Sequence, residues 1–143
     1  MIDAGTSDPA VFCNLAILCK NSGRIEEALE HYAQALAFEP DDPQIYSNIG
    51  NLYRDIGKLD QALQFTLKSL DLDHESSTCQ MNLGSIYRDL GETDEALTAT
   101  VKAIELDEGN IKALQNLKSI ASDIKINSFN KDYARKAYEI LLN

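Results

Sequence analysis

The sequence is poor in cysteine, and its few thiols are not spaced for bonding. Cys13, Cys19 and Cys79 are an odd number, and no two of them have the two-residue spacing of a metal-binding pair. Such an arrangement supplies neither a disulfide framework nor a zinc site. We therefore expect Cys13 and Cys19 to be small core or groove fillers in a reducing compartment.

Long apolar runs are also missing. No stretch of about 18 apolar residues occurs, so no segment is expected to span a membrane. Residues 1–8 lack both a basic region and an apolar core, so no secretory signal is expected. These absences predict a cytoplasmic protein.

Basic residues are outnumbered by acidic ones. The chain has 13 Lys and Arg against 23 Asp and Glu, a net charge of -10 and a pI near 4.5. Binding to a phosphate backbone needs clustered cations that release counterions, so nucleic acid is not expected as a partner. The acidity would suit a basic partner peptide, but solubility of the outer helix faces is the simpler interpretation.

Motifs for catalysis are absent as well: there is no Gly-rich phosphate loop and no nucleophile motif. The best candidate for a metal or acid–base site is an acidic run with one histidine, Asp71, Asp73, His74 and Glu75. It fails as a calcium loop because Ser76 stands where glycine is needed and Asn82 where the bidentate Glu belongs. We expect no catalytic residue, no metal and no cofactor, and hence no enzyme activity in this segment alone.

What the chain does have is a repeat of 34 residues, with copies at 9–42, 43–76 and 77–110. A period of this length is typical of a solenoid built from helical hairpins. Polar residues suited to cap a helix recur at this spacing, followed by proline in the first two copies. The recurring residues are Asp8, Asp42, Ser76 and Asn110 as caps, Gly23, Gly57 and Gly91 where the first helices end, and Ala28, Ala62 and Ala96.

These columns resemble the tetratricopeptide repeat family. Copy two supplies Tyr46, Ile49, Gly50, Tyr53, Gly57 and Ala62, and copy three supplies Leu83, Gly84, Tyr87, Gly91, Ala96 and Ala103. The departures are Thr66 and Thr100, which replace the aromatic residue of the second helix. The resemblance implies an all-α fold, a right-handed α-solenoid of antiparallel helix pairs in which Gly50 packs closely against Ala62.

Residues 111–143 continue the pattern weakly. Lys118 occupies the column that Gly or Ala fills in the other copies, so a second helix cannot pack there as closely. Residues 125–130 are predicted to be a loop, followed by one more helix. We interpret 111–143 as a degenerate fourth repeat that caps the stack, and the apolar residues at the end suggest a longer protein continuing after Asn143.

Two columns suggest how the array binds a partner. In this family the sixth position of each repeat faces the concave groove, and here it holds Asn14, Asn48, Asn82 and Asn116. The pattern is similar to the asparagine ladder of O-linked N-acetylglucosamine transferases, which implies amides that pair with the backbone of an extended peptide. The alternative is plain family consensus, with each asparagine satisfied locally or by water.

The second column contains cations near the ends of the first helices, Lys20, Arg54 and Arg88. One interpretation is a basic rail along the groove, and the alternative is that these cations only interact favourably with the helix dipole. Together with Asn51 and the four asparagines above, they are the predicted peptide-binding residues. The carboxylate clamp that grips chaperone tails in this family is rejected, because among the positions it requires only Asn48 matches.

Three functions stay open at this point. The leading one is a protein-interaction scaffold that binds an extended peptide or partner segment in the concave groove. The second is the targeting arm of a larger enzyme, such as a glycosyltransferase or sulfotransferase, and the third is a structural unit that assembles end to end.

Overall fold

The computed structural model describes residues 8–143, which form eight α-helices and one short 3-10 helix. Residues 1–7, most of the lead in which no secretory signal is expected, lie outside the described part. The elements are α1 (Pro9–Asn21), α2 (Ile25–Phe38), α3 (Pro43–Asp55), α4 (Leu59–Leu72), α5 (Ser77–Leu90), α6 (Thr93–Leu106), α7 (Ile111–Ile120), the 3-10 helix (Ala121–Asp123) and α8 (Lys131–Leu142). The first six helices pack as consecutive pairs joined by short turns, so the predicted solenoid of helix pairs is confirmed.

The predicted starts and stops of the helices are also confirmed. A backbone amide two or three residues onward donates to each capping side chain at 2.7–3.1 Å, at Asp8, Asp42, Ser76 and Asn110. Each bond satisfies a donor that the first turn of a helix leaves unpaired. Gly23, Gly57 and Gly91 have φ of 74°, 77° and 81°, the left-handed conformation that lets the chain reverse after α1, α3 and α5.

Within a pair, the two helices meet at a glycine. A Cβ added to Gly50 would overlap Thr66 Oγ1 and lie 3.3 Å from the Ala62 carbonyl oxygen. The expected close approach between Gly50 and Ala62 is therefore made by the backbone of Ala62. The side chain nearest to Gly50 is that of Thr66. Gly84 meets Thr100 in the same way. Threonine thus replaces the family's aromatic residue at the point where the two helices are closest. A larger side chain in place of the glycine would not fit there.

The core divides into two apolar clusters. One lies among α1, α2 and α3 and contains Phe12, Tyr32 and Leu52, and the other lies among α5, α6, α7 and α8. Between them, α4 contacts α5, and the buried residues of α4 include the polar Thr66 and Ser69. We call this contact the polar seam.

The last helices depart from the regular pattern, as Lys118 predicts. That side chain is exposed, α7 ends after 10 residues, and α8 packs against α6. The loop predicted at 125–130 is present and is fastened to α6. Asn130 is 2% exposed and its Nδ2 donates to Asp94 Oδ1 at 2.6 Å.

Candidate functional site on the concave face

The first helix of each pair contributes to a concave surface. Between α3, α5 and α7 lies a pocket of about 460 Å³ with a largely polar lining. It is lined by Lys20, Asn51, Arg54, Asp55, Met81, Asn82, Ser85, Arg88, Lys112, Gln115 and Asn116. The structure thus brings together six of the eight predicted binding residues. Asn48 lines a smaller pocket, of about 280 Å³, beside α1, and Asn14 is exposed on α1.

The four asparagines at the sixth position differ in their surroundings. Asn14 is exposed, and Asn48 is half-buried, with its Oδ1 accepting from Gln44 Nε2 at 3.1 Å. Asn82 and Asn116 are only 6% and 3% exposed. The column therefore changes from solvent-facing to buried along the array.

The buried asparagines join adjacent repeats. Asn116 Nδ2 donates to Thr100 Oγ1 at 2.9 Å, and its Oδ1 accepts from Arg88 Nη1 at 2.8 Å. Asn82 instead donates to Ser47 Oγ at 3.2 Å. Thr66 Oγ1, the equivalent of the Thr100 oxygen, is buried without a hydrogen-bond partner in the described part of the chain.

One residue accounts for this difference. The position that Ser47 holds in the second repeat is Met81 in the third, and methionine offers the amide no hydroxyl. Asn116 therefore turns to Thr100, whereas Asn82 turns to Ser47 and leaves Thr66 unpaired.

The cation column is also engaged between repeats. Lys20 Nζ lies 2.6 Å from Asp55 Oδ2, and Arg54 Nε lies 2.7 Å from Asp89 Oδ2. Lys20 and Arg54 thus pair with the acid 35 positions onward, whereas Arg88 Nη2 lies 3.3 Å from Oδ1 of the adjacent Asp89. These ion pairs are partly exposed, so each contributes on the order of 0–1 kcal/mol. Their main effect is to lower the net positive charge of the predicted basic rail, because its three cations share two carboxylates.

Two groove residues were missed by the sequence interpretation. Lys112 and Gln115 on α7 are exposed and line the pocket. Between residues 8 and 143, no carboxylate lies within ion-pair distance of Lys112. The sequence could have identified Lys112 and Gln115, because both follow the Asn110 cap at positions equivalent to pocket-lining residues of the earlier copies.

The cysteines and the acidic run lie apart from the pocket between α3, α5 and α7. Cys79 is buried, its thiol donates to the Thr66 carbonyl at 3.3 Å, and burial raises its pKa. Such a thiol stays protonated and acts as a core filler. In the described residues no three His, Cys, Asp or Glu side chains could hold a metal ion together. None of the described helices is long and apolar enough to cross a membrane.

Comparison with known families agrees with this architecture. A "TPR repeat" model matches residues 18–57, and a "Tetratricopeptide repeat" model matches residues 43–75 and 77–110. The matches together cover more than half of the chain. The protein belongs to the tetratricopeptide repeat family. No curated protein matches this tetratricopeptide repeat chain closely enough to count as a relative.

Solved structures share the fold at low sequence identity. The first tetratricopeptide domain of Spaghetti (RPAP3), bound to an HSP90 peptide, superposes with a TM-score of 0.76 at 19% identity, covering 80% of this chain and 94% of that one. The Sgt2 domain from Aspergillus fumigatus gives 0.76 at 20%, covering 82% and 80%. PilF from Pseudomonas aeruginosa gives 0.77 at 18%, covering 96% of this chain and 61% of that one. At such identities these likenesses describe the fold.

Proposed function

We propose that this tetratricopeptide repeat domain is a protein-interaction scaffold whose concave groove binds an extended, acidic peptide segment. The local charge of the groove carries the proposal. Four cations, Lys20, Arg54, Arg88 and Lys112, stand against two carboxylates, Asp55 and Asp89. The groove therefore has an excess of two positive charges (4 − 2) on a chain whose net charge is -10. An acidic segment would be attracted to this local excess of positive charge.

Three amides are available for the backbone of such a peptide. Asn14, Asn48 and Asn51 are exposed or half-buried, whereas Asn82 and Asn116 bond to the preceding repeat. We propose that the accessible three act as the asparagine ladder and that the buried pair fasten repeats together. Lys112, which forms no ion pair within residues 8–143, would hold an acidic side chain of the peptide.

The proposal also includes the boundaries of the repeats and a cytoplasmic location for the protein. We keep 9–42, 43–76 and 77–110 as repeats and 111–143 as a degenerate fourth, because the capping bonds recur at the start of each. Three free thiols are compatible with the reducing environment of the cytoplasm.

Binding is expected to depend on the accessible amides and on Lys112. The probe is a blocked hexapeptide of alternating Ala and Glu, titrated by calorimetry. Asn48→Ala combined with Asn51→Ala should weaken binding by about tenfold, because a lost hydrogen bond costs on the order of 1–3 kcal/mol. Lys112→Ala should weaken it several-fold at low salt and much less at about 1 M salt, where exposed charges are screened.

The matched control is Glu26→Ala on the outer face of α2, which should bind the peptide as the wild type does. An Ala–Lys peptide of equal affinity would contradict the proposal, as would groove variants that leave binding unchanged while their melting temperatures stay the same.

A second candidate function is end-to-end assembly, and one observation favours it. Leu18 of α1 is 59% exposed, whereas the equivalent residues Leu52, Ile86 and Ile120 are 0–2% exposed against the preceding repeat. The end face of α1 thus keeps an apolar residue suited to stacking, and Leu142 is 86% exposed near the other end. We expect Leu18→Glu to abolish any rise in molar mass with concentration in light scattering. A wild-type mass that stays monomeric at all concentrations would contradict assembly.

A further inference from the structure

A second binding pocket is indicated by comparing the second and third repeats at the same columns. In the second repeat, Phe65 of α4 stacks between two tyrosines of α3. Its ring centroid lies 6.4 Å from that of Tyr46 and 5.3 Å from that of Tyr53. Lys68 adds a cation, with Nζ 5.9 Å from the centre of the Tyr46 ring. Aromatic stacking and cation–π contact complete this part of the repeat.

The third repeat retains half of this arrangement. Tyr87 and Lys102 stand 34 positions after Tyr53 and Lys68, but the residues 34 positions after Tyr46 and Phe65 are Gln80 and Ala99. Two aromatic rings are therefore replaced by smaller side chains.

A cavity of about 350 Å³ lies where these rings would be. Its lining includes the apolar Leu70, Leu83 and Ala99 as well as Tyr87 and Lys102. Leu83 and Tyr87 lie on a different side of α5 from Met81, Asn82 and Ser85, which line the concave groove. The cavity is therefore separate from the proposed peptide groove.

The mouth of the cavity is mainly acidic. Asp94 and Glu95 lie on its rim, against the single cation Lys102. Burial, followed by the charges of Glu95 and Glu92, raises the pKa of Tyr87. A ligand entering here would meet negative potential at the mouth before reaching the ring of Tyr87.

The rim is also held in shape on the side of the 125–130 loop. Asp94 accepts hydrogen bonds from Asn130 Nδ2 at 2.6 Å and Asn127 Nδ2 at 3.0 Å. This clamp places Phe129, which is 92% exposed, beside the opening. An apolar ring at the mouth adds contact area for an incoming side chain.

We propose that this cavity is a docking site for an aromatic side chain of a partner peptide flanked by basic residues. The incoming ring takes the place that Phe65 occupies one repeat earlier, stacked on Tyr87 and in reach of Lys102. The flanking cations of the peptide face Glu95 and Asp94. This site is independent of the concave groove and recognises the opposite charge.

The test is an NMR titration of the isotope-labelled domain with the blocked tripeptide acetyl-Lys-Phe-Lys-amide. We expect saturable shifts of the backbone amides of Leu83, Tyr87 and Ala99. Acetyl-Lys-Ala-Lys-amide and acetyl-Glu-Phe-Glu-amide should bind at least several-fold more weakly. Ala99→Phe, which restores the ring found at Phe65, should weaken binding of Lys-Phe-Lys at least tenfold, because the cavity is then filled.

Two further variants make the result decisive. Ala99→Leu fills part of the cavity with less steric demand and should also weaken binding, which keeps the test valid if Ala99→Phe does not fold. Glu26→Ala on the outer face of α2 should leave tripeptide binding unchanged. The proposal is overturned if the filled variants bind as tightly as the wild type, or if acetyl-Lys-Ala-Lys-amide binds as tightly as acetyl-Lys-Phe-Lys-amide. It is also overturned if Phe129 shows strong nuclear Overhauser contacts to the Ala99 methyl group and no peptide changes the chemical shifts of Ala99.

Discussion

Replacing Gly50 with Leu is expected to lower the free energy of unfolding by about 3 kcal/mol, the upper end of the usual overpacking cost. Even a single Cβ at this position would overlap Thr66 Oγ1, and the Ala62 carbonyl blocks movement toward the helix backbone. The melting temperature should fall on the order of 10 °C. Circular dichroism with thermal and urea unfolding measures both quantities.

A double-mutant cycle identifies the cause. Thr66 Oγ1 has no hydrogen-bond partner in the described residues, so Thr66→Ala removes the clashing atom without breaking a bond. Gly50→Ala should therefore cost less in the Thr66→Ala background than in the wild type. If the two changes are additive, the close approach of α3 and α4 does not depend on this pair, and the packing described here is wrong.

Asn116→Ala is expected to cost about 2–3 kcal/mol of stability, although asparagine is a poorer helix former than alanine. The change would leave Thr100 and Arg88 without their amide partner, and the site is 3% exposed, so water cannot readily replace the lost bonds. Denaturant unfolding followed by circular dichroism provides the measurement.

The matched control is Asn14→Ala, at the same position of the first repeat but exposed to solvent. Its effect should stay within about 0.5 kcal/mol, as for most surface substitutions. Equal costs at the two positions would contradict the assignment of Asn116 as a link between repeats.

The period and the helix limits could be predicted from the sequence because they depend on local chemistry. Asp42 caps α3 through an amide two residues away, and Gly57 turns the chain through its own backbone. Such features need no knowledge of neighbouring repeats. The loop at 125–130 was also predictable, but its anchoring to Asp94 was not, because that contact joins residues more than 30 positions apart.

The roles within the candidate site could not be derived in the same way. All four asparagines have the same helical position, yet their surroundings depend on the residues that the preceding repeat presents. Ser47 or Met81 decides which way the next amide turns. Likewise, the pairing of Arg54 with Asp89 follows from how one repeat is rotated on the next, and the repeat pattern alone does not specify that rotation.

The polar seam lies in the middle of the array, between the second and third repeats. Apolar burial holds the residues on either side together in two clusters, and the contact of α4 with α5 adds buried polar side chains. The bond of Asn82 to Ser47 and the ion pair of Arg54 with Asp89 also cross from the second repeat to the third. A change of curvature at this boundary would have to break these directional contacts. The groove crosses the same boundary, so these contacts help to set its width.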